Sequence, residues 1–156
     1  MDLEIIADGV HLPAPLLKMI VKFKDIDRIA LITDSMRAAG MPPGDSILGS
    51  ITNGLKVIVE DGVAKLPDRS SFAGSVATAD RLVRTMIDMA GVSLPEAVQM
   101  MTRTPARIFG LSGSKGSLAV GMDADIVIFD VNIQVTTTIV QGRIVYESHA
   151  RQKENL

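Results

Sequence analysis

The hydrophobic pattern of the first 34 residues predicts a parallel α/β unit. Residues 3–7 are apolar except for Glu4 and are followed by Asp8, and apolar residues at helical spacing occupy residues 16–23. Ile29-Ala30-Leu31-Ile32 is a run without polar positions, which is typical of a strand buried on both faces of a parallel sheet. Strand, helix and strand in this order predict a βαβ unit.

The rest of the chain is predicted to alternate between hairpins and helices. Residues 40–45, with two Pro and two Gly, and residues 67–71, which begin with Pro-Asp and end with Ser-Ser, predict loops. Asp61-Gly62, flanked by apolar runs, predicts a two-residue hairpin turn. Three helices are predicted. The first covers about residues 78–90, the second begins with a capping box at Ser93 and Glu96, and the third is short and begins at Pro105. The final strands are predicted within residues 125–130, 135–140 and 143–146.

Composition excludes several classes of protein. The chain has 156 residues, 47% apolar and 3% aromatic, with a net charge of −2, so general disorder and a polybasic nucleic-acid or membrane binder are excluded. It contains no Cys and two His, which excludes a disulfide framework and a His-rich metal site. A complete (β/α)₈ barrel needs about 250 residues. The sequence lacks a signal peptide or spanning segment, so a cytoplasmic location without membrane partners is expected.

Two carboxylates and one histidine are candidates for chemistry. Asp34 ends the second predicted strand, while Asp8 and His11 follow the first. Ligand sites of parallel sheets lie at the carboxyl ends of the strands, and a carboxylate there can serve as general base and then as general acid. The structural alternative makes Asp34 a cap or loop carboxylate and His11 a hydrogen-bonded core residue.

Other polar residues carry weaker signals. Phe72-Ala73-Gly74-Ser75 precedes a predicted helix, where glycine permits close backbone approach to a ligand, although packing and capping explain it equally. Four arginines form no dense patch and are expected to be solvated or paired at the surface; they are Arg81, Arg84, Arg103 and Arg107. His149 belongs to a polar tail over residues 149–156 and is expected to be exposed.

Four stretches resemble the amidohydrolase superfamily and, within it, the sugar-phosphate deacetylases. The first three point to the deacetylases; they are Ile6-Ala7-Asp8-Gly9-Val10-His11, Leu31-Ile32-Thr33-Asp34-Ser35-Met36 with Ala38-Ala39-Gly40, and Phe72-Ala73-Gly74-Ser75. The fourth is common to many amidohydrolases; it is Gly116-Ser117-Leu118-Ala119-Val120-Gly121 with Ala124-Asp125-Ile126-Val127. Phe72 stands where the deacetylases have Leu.

The resemblance implies a reaction and roles for individual residues. It makes Asp34 the catalytic acid/base, His11 a contact of the sugar phosphate, and Phe72, Ala73 and Gly74 a substrate-lining loop. The implied reaction hydrolyses the N-acetyl group of N-acetylglucosamine 6-phosphate to acetate and glucosamine 6-phosphate. A divalent metal, zinc or iron-like, would activate the water. Its Glu and two His ligands have no counterpart in this chain, so Asp34 would touch only the metal-bound water.

The resemblance also predicts that the chain is the C-terminal portion of such an enzyme. The implied fold class is α/β: the last part of a (β/α)₈ metal-dependent hydrolase barrel, with strands of a small β-sandwich. The predicted division is residues 1–48 for barrel strands seven and eight with their helix, 49–70 for a β-hairpin region, 71–120 for a helical segment, 121–148 for sandwich strands and 149–156 for the tail.

Partners and alternatives follow from this assignment. We expect the missing N-terminal part and an amino sugar phosphate as partners. The chain alone is expected to be inactive, to bind divalent metal poorly, and to form homo-oligomers through an unpaired strand edge. The sequence leaves open a deacetylase of a related amino sugar phosphate, such as the C4 epimer, and a non-catalytic truncated binding module.

Overall fold

The chain opens with the predicted parallel βαβ unit. In the computed structural model, which describes residues 1–148, strand β1 (Leu3–Ile5) lies parallel to strand β2 (Ile29–Leu31), with Leu3 opposite Ile29. Helix α1 (Ala14–Phe23) and a 3₁₀ turn (Ile26–Arg28) connect them. The residues of β2 are buried throughout, as the uninterrupted apolar run predicts. The predicted tail with His149 lies outside the described residues.

A four-stranded antiparallel sheet follows. Its strands are adjacent in chain order and are β3 (Gly44–Leu48), β4 (Leu55–Glu60), β5 (Val63–Lys65) and β6 (Phe72–Ser75). The predicted β4–β5 hairpin is confirmed, since Asp61 and Gly62 have φ values of 52° and 75° at its turn. The hairpin region is therefore the centre of a larger sheet that extends from residue 44 to residue 75.

Two of these strands correct predicted loops. β3 includes Gly44 and Asp45, which were expected to lie in a loop, and β6 coincides with Phe72–Ser75, which was expected to be a loop before a helix. Neither segment has an apolar alternation long enough to predict a strand. Pairing decides both, because β3 runs antiparallel to β4 over five residue pairs and β6 pairs with β5.

The helices pack against the β1–β2 pair. Helix α2 (Ala79–Thr85) continues as a π-helical turn (Met86–Ala90) that ends at Gly91, and α3 (Leu94–Met101) begins with the predicted capping box. Helix α4 (Arg103–Ile108) begins two residues before Pro105. The main core has fully buried side chains from α1, β2, α2, its π-turn and α3; they include Leu17, Ile29, Leu82, Met86 and Met100.

The last described element is a three-stranded antiparallel sheet. It consists of β7 (Ile126–Phe129), β8 (Val135–Val140) and β9 (Arg143–Glu147), in that order. All five residues of β9 are exposed, although three of them are Ile, Val and Tyr. The α/β class is thus confirmed, whereas barrel closure, a sandwich and the predicted domain division stay predictions. In residues 1–148, no helix is long and apolar enough to cross a membrane.

Candidate active site

Asp8 and His11 form a compact turn directly after β1. Oδ1 of Asp8 accepts hydrogen bonds from the backbone N–H groups of Val10 and His11, each at 2.9 Å. Oδ2 lies 2.8 Å from Nδ1 of the His11 imidazole. Gly9 makes the tight turn possible, because its φ of 81° is in the left-handed region that other residues rarely adopt. One carboxylate therefore organises both the backbone and the ring.

The Asp8 carboxyl group is ionised despite being buried. The residue is only 2% exposed. Burial raises the pKa of Asp8, but the N–H groups of His11 and Val10 and the His11 ring lower it by more, so the pKa lies below its ordinary value. At neutral pH this group is a carboxylate that accepts hydrogen bonds and donates none.

Phe72 places an aromatic ring against His11. The two ring centroids lie 5.0 Å apart and the rings are tilted by 54°, a geometry within the usual range for aromatic pairs. Phe72 begins β6 and is 46% exposed. Its neighbour Ala73 is buried in a second apolar cluster, and Gly74 has a φ of 103°. Within this segment the Phe72 side chain faces the imidazole.

Asp34 lies beside the same strand. Its carbonyl oxygen accepts a hydrogen bond from the Ser75 N–H at 3.3 Å, and the Met36 N–H donates to the Ser75 carbonyl at 2.9 Å. The Ser35 hydroxyl donates to the Ala77 carbonyl. Asp34 is exposed and has a φ of 45°, a backbone conformation that is uncommon for a residue with a side chain. The β6 strand thus adjoins the segments that carry His11 and Asp34.

Arg81 holds this region together and is not the solvated or surface-paired arginine that its sequence context predicts. Nε and Nη2 donate to the Asp8 carbonyl at 3.1 and 2.7 Å, and Nη1 donates to the Gly62 carbonyl at 2.9 Å. One side chain therefore joins α2, the Asp8 turn and the β4–β5 turn. No local signal in the sequence predicts these contacts, because the partners lie 73 and 19 residues away.

The donor set of the described residues does not fit a divalent metal. Within residues 1–148, no group of three or more His, Asp or Glu side chains is placed to hold an ion. Nδ1 of His11 faces Asp8, so a single ring nitrogen remains. These residues can bind and orient a ligand and can move a proton.

A large cavity lies elsewhere in the structure. It has a volume of about 820 Å³ and separates helices α2, α3 and α4 from strands β7 and β8. Its walls are mainly apolar, with Val83, Met101, Phe109 and Ile139 among them. Neither His11 nor Asp34 contributes to it, so the candidate site is the polar cluster at the carboxyl ends of β1 and β2.

A histidine and an aspartate thus follow neighbouring parallel strands, at the edge of the sheet where α/β proteins typically bind ligands. The chain belongs to the amidohydrolase family, which it matches over residues 2–145. Members of this family are generally metal-dependent hydrolases.

Curated relatives place the chain more narrowly. It is 38% identical over 143 residues to a putative N-acetylgalactosamine-6-phosphate deacetylase of Escherichia coli K12, covering 91% of this chain and 81% of that protein. It is 40% identical over 141 residues to the N-acetylglucosamine-6-phosphate deacetylase of Lysinibacillus sphaericus, covering 90% of this chain but 35% of that protein.

Solved structures agree with this placement. The N-acetylglucosamine-6-phosphate deacetylase of Thermotoga maritima superposes with a TM-score of 0.83 at 35% identity, covering 94% of this chain and 39% of that chain. A Mycobacterium smegmatis deacetylase in complex with N-acetyl-D-glucosamine-6-phosphate also gives 0.83, at 34% identity. The predicted resemblance to these deacetylases is confirmed. The chain spans little more than a third of the two structures' length, 39% and 38%.

Proposed function

We propose that this chain is the acid/base and substrate-contacting part of an enzyme that hydrolyses the N-acetyl group of N-acetylglucosamine 6-phosphate. The observation that carries the proposal is the grouping of His11, Phe72 and Asp34 around β6, in a chain 40% identical to a deacetylase of that substrate. The products are acetate and glucosamine 6-phosphate.

Asp34 has the proton-transfer role. Its carboxylate takes a proton from the attacking water as the oxygen bonds to the amide carbonyl carbon. The same group then gives that proton to the nitrogen as the C–N bond breaks, so the leaving group departs as an amine. Asp34 is solvent-exposed and follows a buried strand, which supports this role because its side chain is free to meet a ligand.

The remaining site residues bind the substrate. His11 hydrogen-bonds to a polar group of the sugar phosphate, Phe72 covers part of the sugar, and the backbone of Ala73 and Gly74 lines the site. We place the metal ligands in the missing N-terminal part, because the described residues supply no donor set. The phosphorylated substrate cannot cross a membrane unaided, so we propose a cytoplasmic enzyme.

A second candidate substrate is N-acetylgalactosamine 6-phosphate, the C4 epimer. It is favoured by the Escherichia coli K12 relative, 81% of which this chain covers. The reaction and the role of Asp34 are the same for both epimers, so substrate competition separates the two candidates.

The test is complementation. The chain is produced alone and together with the N-terminal part of the Lysinibacillus sphaericus deacetylase, and acetate release is measured with each epimer. We expect no activity from the chain alone and activity from the pair, lowered by at least about 10²-fold in Asp34→Asn. The matched control Asp25→Asn changes another exposed aspartate and should keep full activity.

The same experiment can contradict the proposal. Full activity in Asp34→Asn would remove this residue from the reaction. Binding of the sugar phosphate by the pair without acetate release would favour a non-catalytic binding module. Acetate release by the chain alone, with stoichiometric zinc, would overturn the assignment of the metal ligands to the missing part.

A further inference from the structure

The Asp8 carboxylate does more than close a turn. Two of its contacts, with the N–H groups of Val10 and His11, build the backbone of the turn, and both use Oδ1. The third contact uses Oδ2 and reaches Nδ1 of the His11 ring at 2.8 Å. A turn needs only the first two contacts, so the third has a separate consequence for the imidazole.

We propose that Asp8 is a positioning residue that holds neutral His11 in the tautomer protonated on Nδ1, so that Nε2 presents a lone pair to the ligand. The proposal rests on the proposed function only for the identity of that ligand. The same logic applies to the aspartate of serine protease triads, which fixes the tautomer of its histidine.

The surroundings of Asp8 enforce this tautomer. The Asp8 side chain is fully buried and that of His11 is 18% exposed, so water competes little for the contact. An ionised carboxylate can only accept a hydrogen bond, and Nδ1 must therefore carry the proton. In the other tautomer, the lone pair of Nδ1 would face a carboxylate oxygen, and the two acceptors would repel each other.

Two further contacts keep the pair in place. The Phe72 ring packs against the imidazole, with centroids 5.0 Å apart. Arg81 donates twice to the Asp8 carbonyl, which fixes the backbone that carries the carboxylate. The His11 ring is thus supported from β6 and the Asp8 backbone from α2, and neither contact involves Oδ2 of Asp8.

The tautomer selects the chemistry that His11 offers. Neutral His11 accepts at Nε2 and therefore suits a ligand hydroxyl or N–H, as a sugar provides. With a proton fixed on Nδ1, the ring can donate at Nε2 to a phosphate oxygen only when it carries a second proton there. The geometry thus assigns neutral His11 a hydroxyl of the sugar as partner, which narrows the contact with the sugar phosphate that the family resemblance implies.

Nitrogen-15 NMR of the imidazole rings tests the proposal. The chain has two histidines, so the spectrum contains His11 and the internal reference His149. At about pH 8.5, above the usual histidine pKa of about 6.5, wild-type His11 should be protonated on Nδ1. In Asp8→Asn the amide oxygen keeps the two backbone contacts while its NH₂ faces Nδ1, so the proton should move to Nε2.

Controls make every outcome decisive. Asp80→Asn alters a partly buried aspartate that pairs with Arg84, and should leave His11 protonated on Nδ1. Wild-type protein with the proton on Nε2, or the same tautomer in wild type and Asp8→Asn, would overturn the proposal. If Asp8→Asn does not fold, the wild-type spectrum alone decides, with Arg81→Lys as a second variant that should retain Nδ1–H. The measurement needs no substrate, so a failed deacetylation assay leaves it intact.

Discussion

The Asp8–His11 side of the molecule and the C-terminal sheet are stabilised in opposite ways. Around Asp8 a buried carboxylate, a histidine, an aromatic ring and Arg81 satisfy one another, next to a core that includes Leu82. In the sheet of β7, β8 and β9, the one buried residue among those described is Thr137. Side-chain packing and hydrogen bonds therefore organise the first region, whereas the second depends mainly on pairing between its strands.

The largest expected difference between these regions is in stability. Leu82→Ala should lower the free energy of unfolding by about 2–5 kcal/mol, because Leu82 is fully buried in the main core. Urea denaturation followed by circular dichroism measures it. A loss below about 1 kcal/mol would mean that this core does not hold the fold together.

Removing the Asp8 carboxylate should have the next largest effect. Asp8→Ala leaves two backbone N–H groups and the His11 ring without their acceptor, which should cost about 1–3 kcal/mol. Because the folded pKa of Asp8 is lowered, its stabilisation is present above the ordinary pKa of about 4 and is lost as pH falls through the lowered value.

Urea denaturation of both proteins between about pH 7 and about pH 2 checks this pH dependence. The stability difference between wild type and Asp8→Ala should be constant near neutral pH and should narrow below about pH 4. A difference that grows on acidification would contradict the assigned direction of the pKa shift.

Matched substitutions of two arginines on α2 test the two regions independently. Arg81 donates to the Asp8 and Gly62 carbonyls, while Arg84 donates to Asp80 and to the Ile133 carbonyl between β7 and β8. Arg81→Lys keeps the charge but loses the branched geometry, so amide exchange at Val10 and His11 should become about tenfold faster.

Arg84→Lys is the control for that experiment. It should accelerate exchange near Ile133 and leave Val10 and His11 unchanged. Hydrogen exchange followed by NMR reads both sites in one sample. Equal acceleration of both sites in either variant would show that the two regions open together rather than separately.

The smallest change in stability is expected in the C-terminal sheet. Ile144 lies on β9 and is 62% exposed, so Ile144→Thr should alter the free energy of unfolding by no more than about 0.5 kcal/mol. The same substitution should weaken self-association, because exposed apolar edge strands invite pairing between copies. Light scattering after size exclusion measures the oligomer, and a wild-type chain that is strictly monomeric would contradict this expectation.

Sequence patterns were informative where one element carries its own signal. The buried run of β2, the Asp61-Gly62 turn and the capping box at Ser93 were all predicted from a few adjacent residues. β3 and β6 were missed because their residues acquire strand structure only through a partner. His11 and Asp34 were candidates because they follow predicted strands, and their roles stay predictions.

The contacts of Arg81 could not have been predicted in this way. Its partners are backbone carbonyls at Asp8 and Gly62, and a backbone carbonyl has no sequence signature. These segments are far apart in the sequence and come into contact only in the folded protein. Long-range contacts to the main chain are thus the part of such a site that cannot be predicted from a single sequence.

The turn between β4 and β5 has a consequence for protein engineering. Hairpin tips are ordinarily good places for an inserted tag or label. Here the carbonyl of Gly62 binds Arg81, and a Cβ at this position would lie 2.9 Å from the guanidinium. An insertion at this tip would release one of the guanidinium contacts that support the Asp8 turn, and so would disturb a histidine some fifty residues earlier in the sequence.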